Sequence, residues 1–232
     1  MSSAADANAA PVIEFTLATI WFAARRTLRA AAAYRTGHYP GYPERHGADG
    51  AVVGVIGASR IGRGVIARLR TAPADFRVLL ADPYVSAAEA TALGVELVEL
   101  DELCRRSDIA TVHAPELPET HHLLDARRLR LLRDGAAVVN TARGRLVDTE
   151  ALTRECATGR LDAYLDVTDP EPLPPTHQLH SLPNVLITPH IAGCQGTEVQ
   201  RLGAYAVDEV ERWAKGEGLL GTIRAAELAR LA

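Results

Sequence analysis

The 232-residue sequence has little lysine and little cysteine, and each shortage narrows what the protein can be. Lys215 is the only lysine, so the basic side chains are almost all arginine, and a net charge of −4 gives no reason to expect nucleic-acid binding. The three cysteines, Cys104, Cys156 and Cys194, are odd in number and widely spaced, without CxxC metal spacing. They predict no disulfide framework and favour a reducing, cytoplasmic location.

Long apolar runs are also missing. No run looks long enough to span a bilayer, so no membrane partner is expected. The first ten residues are small and polar, lack the charged segment and apolar core of a signal peptide, and are expected to be frayed. With 47% hydrophobic residues, the chain has the composition of a globular protein that can bury a full core.

What the sequence does have is a regular alternation of strand-like and helix-like stretches. The apolar, strand-like runs are residues 51–56, 77–81, 95–98, 108–113, 136–140, 161–167 and 184–188. Helical stretches lie between most of them, at residues 61–70, 86–93, 126–132 and 149–158. Alternation at this spacing predicts an α/β fold, a Rossmann-type doubly wound parallel sheet with helices on both faces.

Further helices are predicted on either side of this alternating region. Residues 11–34 repeat apolar side chains on one helical face, with Pro11 suited to the first turn, and this apolar face must pack on the downstream domain or on another chain. Glycine and proline make residues 36–50 a linker, and residues 198–215 form an amphipathic helix. We therefore expect three units: an N-terminal tail, helix and linker (1–50), a nucleotide-binding domain (51–193), and a C-terminal helix and tail (194–232).

A glycine-rich turn follows the first predicted strand. Read as G-x-G-x-x-G, it has Gly57 and Gly62, with Ser59 in place of the middle glycine. Gly57 permits the sharp turn, Gly62 allows close packing of helix on strand, and the helix N-terminus offers N–H groups to a pyrophosphate. Ser59 either loosens the fit or contacts phosphate through its hydroxyl. The alternative interpretation is a tight turn without a ligand.

An acidic residue at the end of the next strand strengthens the nucleotide interpretation. Asp82 lies where a dinucleotide-binding domain places the carboxylate that accepts hydrogen bonds from the ribose hydroxyls. Such a carboxylate repels a 2′-phosphate, so the sequence favours NAD over NADP. The alternative is an aspartate that only starts a turn with Pro83.

Three short segments near the carboxyl end carry groups suited to proton transfer. They follow strand-like runs, at residues 140–144, 166–172 and 188–193. Arg143 offers an anion-binding guanidinium, Glu171 a carboxylate and His190 a titratable imidazole. Each has a simpler interpretation: a surface arginine, a solvated glutamate and a structural histidine.

Six motifs in a fixed order give the segments a common context. They are VGVIGASRIG, ADPY, HAPELPETHHLLD, VVNTARGRLVD, LDVTDPEPLP and ITPHIAG. Over about residues 11–215 the sequence resembles the D-isomer-specific 2-hydroxyacid dehydrogenases, including phosphoglycerate and glyoxylate reductase relatives. The resemblance implies an NAD-dependent oxidoreductase that interconverts a small 2-oxo acid and a D-2-hydroxy acid.

The resemblance also implies roles for individual residues. Arg143 would bind the substrate carboxylate and carbonyl oxygen, and His190 would be the general acid in reduction and the base in oxidation. Glu171 would orient the imidazole, and Asp166 would hold the nicotinamide carboxamide. The cofactor-binding set implied is Gly57, Ser59, Arg60, Ile61, Gly62, Asp82, Ala114, Pro115, Thr120, Thr141, Ala142, Arg143, Asp166, His190 and Gly193.

The chain departs from the family before the glycine-rich turn. Family members place most of a substrate domain there, whereas here the turn begins near residue 54. Three explanations compete: a truncation, a separate chain that supplies the missing half, or a protein that has left redox catalysis. We expect NAD(H) binding with weak or absent turnover, because an open half-site does not exclude water.

Two further expectations concern assembly and metals. In the family the region of residues 11–34 packs across a two-fold interface, which implies a homodimer. No metal site is expected, since His113, His121 and His122 lack convincing ligand spacing with a carboxylate. The alternatives to an oxidoreductase are a non-catalytic NAD(H)-binding module and a non-redox enzyme that reuses the same cleft.

Overall fold

Seven parallel strands form the centre of the protein, seen in a computed structural model that describes residues 1–224. The strands are β1 (Val52–Ile56), β2 (Arg77–Ala81), β3 (Glu96–Leu97), β4 (Ile109–Val112), β5 (Ala137–Asn140), β6 (Asp162–Leu165) and β7 (Val185–Ile187). Their order is β3-β2-β1-β4-β5-β6-β7, and every neighbouring pair is parallel. This confirms the predicted Rossmann-type sheet, and each predicted strand is found with its ends shifted by two residues at most.

Helices cover both faces of this sheet. They are α1 (Ala5–Ala24), α2 (Thr27–Arg35), α3 (Arg60–Leu69), α4 (Ala87–Leu93), α5 (Leu100–Arg106), α6 (Ala126–Leu131), α7 (Thr149–Ala157) and α8 (Val199–Ala214). Two apolar clusters result. One buries Ile20, Val65 and Ile66 on the α1 and α3 side, and the other buries Leu103 and Leu152 on the α5 and α7 side.

The N-terminal region differs from its prediction in three ways. Residues 11–34 form two helices rather than one, because Arg26 adopts a left-handed conformation (φ 49°) that ends the first helix and begins the second. Pro11 lies inside α1, which begins at Ala5, and not in its first turn. The first residues are not frayed: the Ser2 hydroxyl donates to Glu209 of α8 over 2.5 Å, and Ser2 bridges to Thr222.

The length of α1 also corrects an expectation. This helix is long and apolar enough, by length and composition alone, to cross a membrane, although a core helix of a globular protein meets the same criterion. In the structure Ile13 and Ile20 of α1 are buried against the sheet side of the fold. A Cβ added at Gly64 of α3 would lie 2.2 Å from the Ile13 side chain, so the two helices are in close contact.

A partly buried ion pair attaches α2 to the amino end of the sheet. Arg29 donates to the carboxylate of Asp162 over 2.7 Å and to the carbonyl oxygen of Gly159 over 2.7 Å. Asp162 is almost fully buried. Burial raises the pKa of the Asp162 carboxyl, and Arg29 opposes that rise. The ion pair therefore offsets the cost of burying the Asp162 carboxylate, which lies at the amino ends of the strands, away from the candidate site.

Gly54 provides a test of how tightly the sheet is packed. An added Cβ would lie 2.5 Å from the Leu103 side chain of α5 and 2.2 Å from the Ser107 hydroxyl oxygen. We expect Gly54→Ala to destabilise the protein by about 1–3 kcal/mol through overpacking, measured by urea denaturation. Gly203→Ala is the control, since nothing lies within 4 Å of its Cβ position. A Gly54→Ala protein as stable as the control variant would contradict this packing.

Candidate functional site

The glycine-rich turn lies at the point where the strand order reverses. Between β1 and β4 the connections leave in opposite directions, which opens a crevice at the carboxyl ends of the strands. Gly57 has φ 95°, and a Cβ there would lie 2.6 Å from the backbone nitrogen of Ala114. A Cβ at Gly62 would lie 2.1 Å from the Gly57 carbonyl oxygen. Both positions therefore require glycine, as the sequence predicts.

Ser59, the departure from the glycine pattern, caps helix α3. Its side-chain oxygen accepts a hydrogen bond from the Gly62 N–H over 3.3 Å, so it occupies one of the free donors at the helix start. The guanidinium of Arg60, expected at the pyrophosphate, pairs with Asp6 of α1. The side chain of Ile61 packs on the α1 and α3 apolar cluster. Both side chains are thus engaged with α1 and the apolar cluster beside it.

Asp82 stands directly after β2, and both of its carboxylate oxygens contact the turn region. One accepts from the Ala58 N–H over 2.7 Å, and the other accepts from the Tyr84 N–H over 2.8 Å. The carboxylate thus supports the glycine-rich turn from the neighbouring strand. Each oxygen retains a lone pair that can accept a ribose hydroxyl.

A cavity of about 820 Å³ opens beside Asp82. Its wall includes the predicted residues Ala114, Pro115 and Thr120. The Thr120 hydroxyl donates to the Pro115 carbonyl oxygen over 2.7 Å, which fixes the loop that forms one side. The remaining wall is largely apolar, with Val85, Leu97, Val98, Leu100 and Leu123. A flat apolar ring attached to a polar sugar suits this surface.

The loop after β5 is held by Asn140, a residue to which the sequence analysis gave no role. Its side-chain amide donates to the Arg143 carbonyl oxygen over 2.8 Å and accepts from the Ala142 N–H over 3.1 Å. Thr141, expected in the cofactor cleft, is hydrogen-bonded to the Thr16 hydroxyl of α1 over 2.8 Å. The exposed Arg143 guanidinium donates to the Ala142 carbonyl oxygen. In the sequence, the one indication of this role was that Asn140 is a polar residue at the end of an apolar, strand-like run.

This loop touches the loop after β6. A Cβ at Gly144 would lie 1.9 Å from the carbonyl oxygen of Thr168. The contact brings Arg143 to the segment that carries Glu171, three residues after Thr168. Two of the three predicted groups are therefore on adjoining loops at the same edge of the sheet.

Asp166 organises the third predicted segment. This carboxylate is buried and accepts from the Thr188 hydroxyl over 2.6 Å, the Ile191 N–H over 2.9 Å and the Ala192 N–H over 2.8 Å. Its backbone carbonyl oxygen accepts from the His190 N–H over 2.9 Å. The residue expected to hold the nicotinamide carboxamide thus holds the loop of His190, a role that the sequence did not indicate.

His190 and Glu171 form the pair that the sequence predicts. Nδ1 of His190 lies 2.7 Å from Oε1 of Glu171, and both side chains are about half exposed. A carboxylate can only accept, so Nδ1 carries the hydrogen, and Nε2 is the ring atom left for proton transfer. His190 has a positive φ of 56°, in the left-handed region that residues other than glycine rarely adopt. The pair lines a second cavity of about 740 Å³, together with Asp166, Thr188 and His180.

Gly193, expected in the cofactor cleft, and the histidine His113 occupy supporting positions. Gly193 lies against α1, since a Cβ there would be 2.9 Å from the side-chain oxygen of Asn8, which also accepts from the Cys194 N–H. His113 is buried at the end of β4, with Nε2 2.9 Å from the Thr111 hydroxyl oxygen. Burial lowers the pKa of His113 to about 3, so it is a neutral structural residue at physiological pH.

Comparisons with known proteins agree with the fold. A family model for the NAD binding domain of D-isomer specific 2-hydroxyacid dehydrogenases matches residues 17–192. A glyoxylate reductase of Thermofilum pendens is 36% identical over 213 residues, 89% of this chain and 62% of the relative. The chain thus spans less than two thirds of that enzyme's length.

Solved structures give the same picture. The TT0316 protein of Thermus thermophilus has a TM-score of 0.80 and 35% identity, over 96% of this chain and 71% of that chain. A D-isomer specific 2-hydroxyacid dehydrogenase of Xanthobacter autotrophicus, solved with NADPH and MES, has a TM-score of 0.78 and 29% identity. In that case the match covers 97% of this chain and 90% of the other.

The hydrogen bonds of Asp166 can be tested by an isosteric substitution. Asp166→Asn places an NH₂ donor among three groups that also donate, so we expect a loss of about 1–3 kcal/mol in the free energy of unfolding. Urea denaturation measures it. Asp134→Asn, at an exposed aspartate, should change stability by less than about 0.5 kcal/mol. Equal effects of the two substitutions would contradict the role of Asp166.

Proposed function

We propose a function from a premise that is shown: the chain belongs to the D-isomer specific 2-hydroxyacid dehydrogenase family. The proposed function is that of an NAD-dependent oxidoreductase that interconverts a 2-oxo acid and a D-2-hydroxy acid. The observation that carries this proposal is the 2.7 Å contact between His190 Nδ1 and Glu171 Oε1, at the edge of the sheet where the glycine-rich turn opens. A titratable group and a nucleotide crevice share one side of the fold.

The crevice fits the family's cofactor, NAD. Gly57 permits the tight turn against the Ala114 backbone, and this turn leads into the start of α3, whose N–H groups can bind a pyrophosphate. Asp82 can accept the ribose hydroxyls, and its charge disfavours a 2′-phosphate. The apolar wall of the adjoining cavity suits the adenine ring. When bound, the cofactor supplies or accepts the hydride.

His190 handles the proton of the reaction. During reduction the protonated ring donates from Nε2 to the carbonyl oxygen of the 2-oxo acid, and during oxidation neutral Nε2 takes the proton from the hydroxyl. Glu171 accepts the Nδ1 hydrogen and so fixes the tautomer and the orientation of the ring. Asp166 positions the loop through the Ile191 and Ala192 N–H groups.

Arg143 binds the anionic end of the substrate. Its planar guanidinium can donate two parallel hydrogen bonds to a carboxylate, which a lysine cannot match in geometry. The Asn140 side chain holds the main chain on both sides of the Arg143 amide. The backbone at Arg143 is therefore held in place, while its guanidinium is exposed and can bind an incoming anion.

The exposure of the catalytic pair favours a second candidate. In this chain the His190 side chain is 50% exposed and that of Glu171 43%, whereas hydride transfer needs a site that excludes water. In this second candidate the chain acts as an NAD(H)-binding module without turnover. A non-redox enzyme that reuses the cleft is a third possibility, and retention of the His190–Glu171 contact weighs against the binding module.

Calorimetric titration followed by an activity panel separates these candidates. We expect the purified chain to bind NADH more tightly than NADPH, and to reduce small 2-oxo acids weakly or not at all. Asp82→Ser should narrow the difference between the two nucleotides. Absence of NADH binding would contradict the proposed cofactor site, and robust turnover would contradict the open half-site.

Any turnover that is detected should depend on His190. Loss of a general acid lowers kcat by about 10²–10⁴-fold. We therefore expect His190→Gln to abolish measurable reduction while leaving the Kd for NADH within about two-fold of the parent. Unchanged turnover would assign the proton transfer to another group, and a collapse of NADH binding would mark His190 as a structural residue.

We also propose that the protein is a homodimer formed through α1 and α2. None of the residues of α2 is buried, and Phe22, Tyr34, Tyr39 and Tyr42 expose aromatic side chains in the same part of the chain. Multi-angle light scattering at micromolar concentration should give twice the chain mass. Phe22→Asp should produce monomers, whereas Val207→Asp, at an exposed apolar residue of α8, should not. A monomeric parent protein would refute this assembly.

A further inference from the structure

A cluster of two imidazoles and one carboxylate lies outside the proposed catalytic pair. His121, His122 and Asp169 each offer one ligand atom, and these three atoms all lie within 4.8 Å of one another. We propose that this cluster binds a divalent first-row transition metal, with zinc as the reference ion. Spacing along the chain gave no indication of it, since the carboxylate comes from a different loop.

The two histidines face the same side because of an unusual backbone conformation. Consecutive residues on an extended chain point to opposite sides, which would separate the two rings. His122 has φ 50°, in the left-handed region, and this rotates its side chain next to that of His121. The rings stack with centroids 3.9 Å apart and planes inclined by 22°. The two rings are thereby neighbours, and the exposed His121 ring turns out of the stack when both nitrogens bind one ion.

Backbone contacts connect the histidines to the loop of Asp169 by way of the loop after β5. The His122 N–H donates to the Arg145 carbonyl oxygen over 2.8 Å, and the Leu124 N–H donates to the Leu146 carbonyl oxygen over 2.9 Å. Gly144, in the same loop as Arg145 and Leu146, packs closely on Thr168, the residue before Asp169. Three loops are thus fixed to one another, and a metal would find its ligands on a formed scaffold.

The ligand types select the class of ion. Imidazole nitrogen with one carboxylate oxygen suits zinc, cobalt or nickel, while magnesium and calcium prefer oxygen ligands alone. Zinc–ligand bonds of about 2.0–2.2 Å place tetrahedral ligands about 3.3 Å apart, so the cluster must contract slightly. His121 is exposed and can turn its ring to do so. Water completes the coordination.

One nearby cation opposes metal binding. Nε of Arg145 lies 3.8 Å from the Asp169 carboxylate, and its NH1 nitrogen lies 3.9 Å from Glu116. The guanidinium competes for the carboxylate that the metal needs and adds a repulsive positive charge. Glu116 offers Arg145 another partner when the metal binds. Removal of the Arg145 charge should therefore strengthen metal binding, which an adventitious surface site elsewhere would not show.

The site is separate from the proposed catalytic pair but close to the cofactor crevice. Asp169 stands two residues before Glu171, and Thr120, which precedes His121, lines the larger cavity. A bound ion would join the loop after β4 to the loop after β6 at the entrance of the crevice. The proposal does not depend on the proposed redox function, since the readout is metal binding itself.

Titration of untagged protein with Zn²⁺, and with Co²⁺ followed by visible absorption, tests the proposal. We expect one equivalent to bind, and His121→Ala and Asp169→Asn each to weaken binding by more than about 10-fold. His122→Asn removes a ligand with a residue that tolerates the left-handed conformation, which protects the fold. Arg145→Gln should tighten binding.

Two control variants locate the ion. His190→Ala removes an exposed histidine–carboxylate pair, and His177→Ala removes a histidine 3.6 Å from Glu150. Neither should change the Zn²⁺ affinity by more than about two-fold. Binding that survives loss of His121 and His122, or that disappears with His190→Ala, would overturn the assignment. Thermal denaturation of each variant without metal verifies that its fold is intact.

Discussion

The hydrogen bonds made by the buried Asp166 carboxylate are the constraint on which the candidate site depends. Three donors from the loop after β7 converge on its two oxygens, and its carbonyl oxygen accepts from the His190 N–H. A buried charge with several donors is costly to leave unpaired, so the loop has little freedom to move away. Glu171 then needs only one contact to fix the imidazole. The position of the His190 ring thus depends on a carboxylate that is buried away from solvent.

The two ends of the parallel strands have different roles. At the amino ends, Arg29 pairs with Asp162 and attaches α2, so charge here stabilises the fold. At the carboxyl edge, Asp82 and Asp166 bind backbone N–H groups of loops, and the more exposed Arg143, Glu171 and His190 remain accessible to small molecules. Parallel strands make this division possible, because all their carboxyl ends meet at one side.

Much of the fold could be predicted from sequence, since buried parallel strands are continuous apolar runs and the glycine turn has strict steric needs. The break at Arg26 could not, because a left-handed arginine leaves no pattern in the residues around it. The Asp6 partner of Arg60 and the grouping of Asp169 with two histidines also escaped, as both join distant parts of the chain. Sequence order identified the candidate reactive groups, while the residues that position them, Asn140 above all, needed tertiary structure.

The contact of Asn8 with the His190 loop limits how this domain can be used as a building block. Asn8 lies in α1, more than forty residues before the first strand, yet its side-chain oxygen accepts from the Cys194 N–H over 2.8 Å. Thr16 of the same helix bonds to Thr141. A fusion or transplant cut at the start of the sheet would keep every strand and still remove two supports of the loops that carry His190 and Arg143. The smallest transferable unit therefore begins with α1.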